Sequence, residues 1–324
     1  MSAPFFVVGN DRSGTTMLRL VLDRSREAAI PPESMFLIDL APAWRSGRLG
    51  ERSEAERVLR RLWAHPRLAH WGLPPEPPAV PSGLGHADAY RFVVEAPFRA
   101  YAHAQGKERF GDKTPAYLHR IDHLLELWPD ARFLVLVRDG RDVAVSLLRV
   151  PFGANNVWAA GRWWARGIRA GRDAERRHPG HVLSLRYEDF VADPAANARR
   201  ACEFVGLGFD DAMLAIEETD PGKIVPGEAG WLTSVFAGIN ASAVGKWERE
   251  LGAREQRVFA AVAGAELAAL GYDPGPARAV PPGQALGYAL HDATARAANF
   301  VRLRLVRERG RELGYVLRRK LRLV

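Results

Sequence analysis

The chain has 324 residues, enough for one sizeable core, or for a core plus an appendage. With 47% apolar and 26% charged residues it has a globular composition rather than a disordered or fibrous one, and its single cysteine, Cys202, excludes an internal disulfide. The net charge of +8 is concentrated at one end: residues 285–324 hold ten Lys/Arg against three Asp/Glu, which leaves the rest nearly balanced.

The first element is an apolar run, Phe5 to Gly9, that ends in Asn10-Asp11-Arg12-Ser13-Gly14-Thr15-Thr16. A segment with Met17, Leu18, Val21 and Leu22 on one face follows. Buried strand, tight turn and helix start together aim backbone N–H groups at one point, which makes an anion cradle. Gly9 and Gly14 keep the spacing of the nucleotide-binding pattern G-x-x-x-x-G-K-[ST], but Thr15 stands where its lysine would be. The cation, Arg12, lies two residues before the second glycine instead. With the strand starting so early, and with no apolar run approaching ~20 residues, the expectation is a cytoplasmic protein.

Next in order is Ile30-Pro31-Pro32-Glu33-Ser34, where two prolines stiffen the backbone ahead of a carboxylate. Glu33 reads equally as a helix cap or as a general base. Residues 34–105 hold helical pieces broken by a proline-rich stretch, Leu73 to Gly83, and are expected to form a helical cap inserted into the main domain. Phe110-Gly111-Asp112-Lys113-Thr114-Pro115 is a short strand ending in a lysine. Phe133 to Val137 is an uninterrupted buried strand that runs into Arg138-Asp139-Gly140-Arg141-Asp142. Arginines at a strand end suit bidentate capture of phosphate; the competing reading is a structural Arg138–Asp142 or Arg141–Asp139 pair. Ser146 lies eight residues after Arg138, about two helical turns, so it faces the same side. Trp158, Trp163 and Trp164 share one helical stretch and read as packing residues. A last strand, His181–Leu185, leads to Tyr187-Glu188-Asp189.

Strands at Phe5–Gly9, Arg109–Asp112, Ala131–Val137 and His181–Leu185 alternate with helices at Gly14–Arg24, Tyr117–Leu127, Arg141–Leu148, Trp158–Arg177 and Ala195–Val205. The fold class is therefore α/β, a P-loop-type parallel sheet flanked by helices. Ligands of such sheets sit beyond the carboxyl ends of the strands, where Gly9, Arg138 and Arg186 all fall. The domain division expected is a main α/β domain over residues 1–272, a linker over 273–284, and a basic amphipathic helical tail over 285–324. In the tail Leu303, Val306, Leu313, Leu317, Leu321 and Val324 form a stripe on an arginine-coated helix. Its candidate partners are the protein's own surface, a second copy, or an anionic membrane contacted peripherally.

As a set these motifs resemble the PAPS-dependent sulfotransferases of the bacterial type, related to the tyrosylprotein sulfotransferases. The family's P-R-S-G-T-T is matched by Asp11 to Thr16 with aspartate for proline, its P-P-E by Pro31-Pro32-Glu33, and its G-D-K-T-P by Gly111 to Pro115. Its arginine and serine eight residues apart are matched by Arg138 and Ser146, its Y-E-D by Tyr187 to Asp189, and its late G-x-W by Gly245-Lys246-Trp247. The resemblance spans residues 4 to about 270 and leaves out the tail.

It implies a co-substrate, 3′-phosphoadenosine 5′-phosphosulfate (PAPS). Arg12, Ser13, Gly14, Thr15 and Thr16 would cradle the 5′-phosphosulfate, Arg138 and Ser146 the 3′-phosphate, Tyr187 the adenine, and Lys246 would also reach the 3′-phosphate. A hydroxyl-bearing acceptor (glycan, lipid, peptide or small molecule) would attack sulfur in line. Glu33 would serve as base, with Lys113 and Arg12 stabilising the developing charge. His103 and His119 are the reserve bases, since other branches of the superfamily use histidine. No metal is expected, because no His/Cys/Asp cluster has ligand spacing.

The alternative is a P-loop kinase or nucleotidase using ATP, disfavoured by Thr15 and by the second anion site. A nucleic-acid-binding module driven by the tail is disfavoured by the balanced charge elsewhere and the lack of a recognition motif. Acceptor specificity is expected to come from the 34–105 region and from the loop near Pro221–Phe236.

Overall fold

The computed structural model describes residues 3–150, 153–218, 223, 237–277 and 279–305, with side chains as far as 299. Its centre is a sheet of five parallel strands: β1 (Phe5–Gly9), β2 (Ala28–Ala29), β3 (Arg109–Lys113), β4 (Arg132–Val137) and β5 (Val182–Arg186). They lie in the order β2-β3-β1-β4-β5, with Val7 opposite Lys113, Gly9 opposite Leu136 and Val137 opposite Arg186. The chain leaves β1 toward one edge and crosses to the other side only between β3 and β4. The crevice beside β1 and β4 is therefore the topological switch point, where open α/β sheets bind ligands.

Parallel sheets are covered on both faces, so their strands read as continuous apolar runs. β1 is buried along its whole length, and alternate residues feed two separate cores. Phe6, Val8, Phe133 and Val135 point into one; Phe5, Val7, Leu134 and Leu136 point into the other.

In chain order the helices are α1 (Thr15–Asp23), α2 (Phe36–Asp39), α3 (Ala41–Arg45), α4 (Arg52–Trp63), α5 (His86–His103) and α6 (Ile121–Leu127). After β4 come α7 (Gly140–Leu147) and α8 (Val157–Arg177), and after β5 come α9 (Tyr187–Ala192), α10 (Pro194–Val205), α11 (Trp247–Glu250), α12 (Ala253–Ala269) and α13 (Pro282–Leu305). α1 and α10 cover one face through Leu18, Val21, Ala198 and Cys202. The other face carries α4, α5, α8 and α12, through residues such as Leu59, Phe98, Trp164 and Phe259.

Several expectations shift here. Residues 34–105 share the core of the sheet: Phe36, Tyr90 and Phe98 belong to the same buried cluster as Phe6 and Phe133. The segment is thus a flanking layer and not a cap standing apart, because its apolar positions bury against β3. The edge strand β2 is only Ala28–Ala29, too short to give a periodic signal. Pro115 opens a 3₁₀ turn, Pro115–Arg120, and the regular helix begins only at Ile121. Lys113 and Arg186 are the last residues of β3 and β5, so both stand at strand ends as expected.

The expected linker ends early, since α13 starts at Pro282. α13 docks on the α8 side of the molecule: Tyr288 stacks on Trp158, the Asn155 N–H donates to Asp292 Oδ1 at 3.0 Å, and Asn156 Nδ2 donates to the Tyr288 carbonyl at 2.9 Å. Leu286 and Leu290 stay on its exposed side. The remainder of the expected tail, residues 306–324, lies outside the described residues. So does the Pro221–Phe236 loop, apart from Lys223, whose Nζ donates to buried Asp23 Oδ2 at 2.6 Å.

Candidate active site at the β1–β4 crevice

The turn after β1 is shaped by backbone that side chains rarely adopt. Arg12 sits at φ 70° and Gly14 at φ 92°, both left-handed. A Cβ on Gly14 would lie 2.5 Å from the Tyr187 ring, so glycine is required both by conformation and by contact. The turn delivers Thr15 to the start of α1. The hydroxyl of Ser13 is buried and has no hydrogen-bond partner among the described residues. A buried, unmatched hydroxyl costs free energy of order 1–3 kcal/mol, which an anion in the cradle would relieve. The residues therefore fit a phosphate or sulfate group.

The turn after β4 is locked by its own charges. Asp139 caps α7 by accepting from the Arg141 N–H, and Arg141 returns a fork, Nη2 to Asp139 Oδ2 at 2.7 Å and Nε to Oδ1 at 3.0 Å. The Arg141 guanidinium stacks 3.6 Å from the centroid of Trp247 and donates to the Asp273 carbonyl at 2.9 Å. Asp142 accepts from the N–H groups of Gly245 and Trp247 at 2.9 and 3.0 Å. Burial pushes the Asp142 carboxyl up, against the pull of nearby Arg138. Gly140 has no space for a side chain, because a Cβ there would meet the Trp164 ring at 2.4 Å.

These contacts leave Arg138 as the cation that faces the crevice. Its Nη1 donates to the Arg12 carbonyl at 3.1 Å and its Nη2 to the Ala243 carbonyl, with Asp142 Oδ2 3.7 Å away. The guanidinium lies over the Tyr187 ring, 4.7 Å from its centroid. Tyr187 has its hydroxyl pKa raised by burial. Arg12 reaches across in turn: its Nε donates to Ser146 Oγ at 2.8 Å. The cleft between these groups is lined by Arg12, Gly14, Thr15, Thr16, Arg138 and Tyr187, and closed by Gly238 to Ala243.

At the cradle's other end Lys113, fully buried at the tip of β3, donates to Glu33 Oε1 at 2.6 Å and to Thr16 Oγ1 at 3.3 Å. Thr16 also lines the cleft, so a carboxylate and a cation abut the place where an anion would sit. Lys113, at the end of the neighbouring strand, thus reaches the cradle helix through Thr16.

Of the residues singled out by sequence, Arg12, Gly14, Thr15, Thr16, Arg138 and Tyr187 share the cleft, with Ser146 and Lys113 one hydrogen bond from it. Ser13 lies within the cradle turn and Glu33 beyond Lys113. Lys246 is half-buried between two residues anchored by Asp142, and its side chain is not among those lining the cleft. His103 and His119 both lie on exposed surface. Both suspected ion pairs, Arg138–Asp142 and Arg141–Asp139, are present, yet only Arg141 is consumed by its partner. Trp164 is buried and its indole donates to the Arg138 carbonyl at 3.1 Å, a packing and support role. Sequence reasoning missed Asn240, Ser242 and Ala243, whose place in the wall depends on a distant loop and carries no local pattern.

Comparison with known proteins gives the family and the fold. Residues 4–211 match the model of the sulfotransferase family. The nodulation protein NoeE of Sinorhizobium fredii is 27% identical over 83% of this chain and 65% of its own length. Protein-tyrosine sulfotransferase A of Caenorhabditis elegans is 27% identical over 67% of this chain and 53% of its own. The chain thus spans less than two thirds of either relative. Among solved structures, the sulfotransferase domain of the Synechococcus PCC 7002 olefin synthase superposes with a TM-score of 0.57 at 24% identity, covering 84% of this chain and 97% of that one. The sulfotransferase domain from the curacin biosynthetic pathway gives 0.55 at 17%, covering 84% and 99%. The chain belongs to the sulfotransferase family.

Proposed function

We propose that this member of the sulfotransferase family moves a sulfuryl group from PAPS to an acceptor hydroxyl. The observation that carries the reading is the convergence of Arg12 and Arg138, from two different strand ends, on one cleft floored by Gly14 to Thr16 and walled by Tyr187. A nucleotide with phosphate at both its 3′ and 5′ ends needs two cationic stations; ATP needs only one. In this reading the cradle amides and Ser13 hold the 5′ end, Arg138 and Ser146 take the 3′-phosphate, and Tyr187 supplies a face for adenine. The role of Lys246 at the 3′-phosphate is the least supported of these, since its side chain stands off the cleft wall.

Glu33 accepts the acceptor's hydroxyl proton as the new oxygen–sulfur bond forms. The bond between sulfur and the 5′-phosphate oxygen breaks, and adenosine 3′,5′-bisphosphate departs with the electron pair. Lys113 and Arg12 balance the charge on the sulfuryl oxygens and on the leaving phosphate. Catalysis is then mostly positioning and electrostatics, as in phosphoryl transfer.

Thermal-shift titration distinguishes the donors. Adenosine 3′,5′-bisphosphate should raise Tm strongly and ADP weakly; equal shifts would favour the ATP-using alternative. The acceptor class is then read from transfer of labelled sulfate to a panel of phenols, peptides, oligosaccharides and lipids. For the tail, α13 rests on the protein itself, and the candidate partners of the basic residues 306–324 are the protein's own surface, a second copy of the chain and an anionic membrane.

A further inference from the structure

We propose that Asp112 is a positioning residue for the Glu33–Lys113 pair, holding the two through a buried hydroxyl network that converges on its carboxylate. The inference rests on the sulfotransferase reading above and adds a residue to it.

Asp112 is 1% exposed, and both of its oxygens are engaged. Ser34 Oγ donates to Oδ2 at 2.6 Å and Thr114 Oγ1 donates to Oδ1 at 2.9 Å. The network runs in one direction. The Leu37 N–H donates to the Tyr117 hydroxyl at 3.1 Å, which leaves that hydroxyl's proton for Ser34 Oγ, 2.9 Å away. Ser34 Oγ spends its own proton on Asp112. The Ser34 and Thr114 hydroxyls both donate to the carboxylate, and they also lie 3.3 Å from each other.

The donors are neighbours of the reacting groups. Ser34 directly follows Glu33, and Asp112 and Thr114 bracket Lys113. Two adjacent residues of one segment therefore clasp two adjacent residues of β3: Glu33 on Lys113, and Ser34 on Asp112. The backbone at Met35, immediately after Ser34, is held in the left-handed region at φ 51°, an arrangement that persists only where surrounding contacts impose it. Lys113 and Glu33 are thus fixed from behind as well as by each other.

The charge state of Asp112 decides whether the network can keep this direction. Burial raises its carboxyl to about 7, with Ser34 and Thr114 pulling it down, Glu33 opposing ionisation and Lys113 favouring it. Tyr117 is the remaining titratable group in the network. A protonated Asp112 would have to donate to one of the two hydroxyls and reverse it, loosening Ser34 and the Glu33 segment together.

The test compares wild type with Asp112→Asn and Ser34→Ala. Three quantities are read: affinity for adenosine 3′,5′-bisphosphate by calorimetry, hydrolysis of PAPS in the absence of acceptor, and transfer to the best acceptor of the panel. Asp112→Asn should lower kcat at pH 8 by tenfold or more, with bisphosphate affinity within about twofold of wild type. Wild-type kcat should fall on the acid side of about pH 7, and Asp112→Asn should lack that limb. Ser34→Ala, which removes one arm, should lower kcat three- to tenfold with affinity again preserved, and it decides the matter if Asp112→Asn does not fold. Unchanged kcat, or parallel losses of kcat and nucleotide affinity, would overturn the positioning role. A wild type that neither binds the bisphosphate nor consumes PAPS would overturn the sulfotransferase reading instead.

Discussion

The turns after β1 and β4 have the same build, an apolar parallel strand that hands over to a helix through a polar loop, yet they solve opposite problems. After β4 the charges are answered internally: Arg141 is forked onto Asp139 and stacked on Trp247, and Asp142 fastens Gly245 and Trp247. After β1 one hydroxyl is left unmatched and the backbone is bent into left-handed conformations at Arg12 and Gly14. In the proposed reading the turn after β1 would be completed by a bound anion, while the turn after β4 keeps Arg141 and Asp142 for its own structure and offers Arg138 alone to the cleft. Two arginines only three residues apart, Arg138 and Arg141, consequently differ in kind. The first lines the cleft and is proposed as a recognition group; the second is a strut.

Substitutions can break that contrast or make it sharper. The largest effect belongs to the chemistry beside the first turn. Glu33→Gln should lower turnover by about 10²–10⁴-fold, the usual worth of general-base help, while leaving the affinity for adenosine 3′,5′-bisphosphate intact by calorimetry. Full turnover would move the base elsewhere.

Next comes the pair of arginines. Arg138→Ala should weaken bisphosphate binding by about 10- to 100-fold, from loss of hydrogen bonds made by a charged donor. It should leave the affinity for adenosine 5′-phosphate nearly unchanged, because only the 3′ end is lost. Arg141→Lys should do the reverse, costing about 1–3 kcal/mol of stability by urea melts as the fork and the Trp247 stack are lost, with binding near wild type in the folded fraction. If the two variants behaved alike, the division between recognition group and strut would fail.

Gly14→Ala should lower Tm and bisphosphate affinity together, with a strain of about 1–3 kcal/mol, since the new Cβ is forced against Tyr187 in a backbone conformation alanine resists. Smallest of all is removal of residues 306–324, which leaves turnover on a soluble acceptor within twofold. It should abolish flotation with phosphatidylserine vesicles; unaltered flotation would remove the membrane from the account, and loss of a dimer on sizing columns would replace it with self-association.

The two turns differ less in how readily the sequence discloses them than in what it discloses. Both strands are legible from runs of five residues, Phe5–Gly9 and Phe133–Val137, since parallel strands are buried on two sides and need no alternation. The cradle is legible because its glycines, hydroxyls and arginine are contiguous. Pairing across the chain is not. Glu33 and Lys113 are 80 residues apart, and nothing local says that one will be the other's partner. The wall from Gly238 to Ala243 reaches the cleft through Arg138 and the brace of Asp142 on Gly245, again a matter of tertiary placement. The 34–105 region misled for a related reason. Its prolines speak of a loop, while Phe36, Tyr90 and Phe98 reveal their burial only once β3 is there to receive them.

The bridge from Arg12 Nε to Ser146 Oγ has a thermodynamic corollary. Arg12 and Ser146, which the proposed function gives to opposite ends of the nucleotide, are hydrogen-bonded to each other, so in that reading a nucleotide would trade partners instead of adding them. Contacts counted in a complex would then overstate the affinity, because part of what each end gains has first been surrendered by the strap. The net attraction would then fall most to a group without such a partner among the described residues, the buried hydroxyl of Ser13.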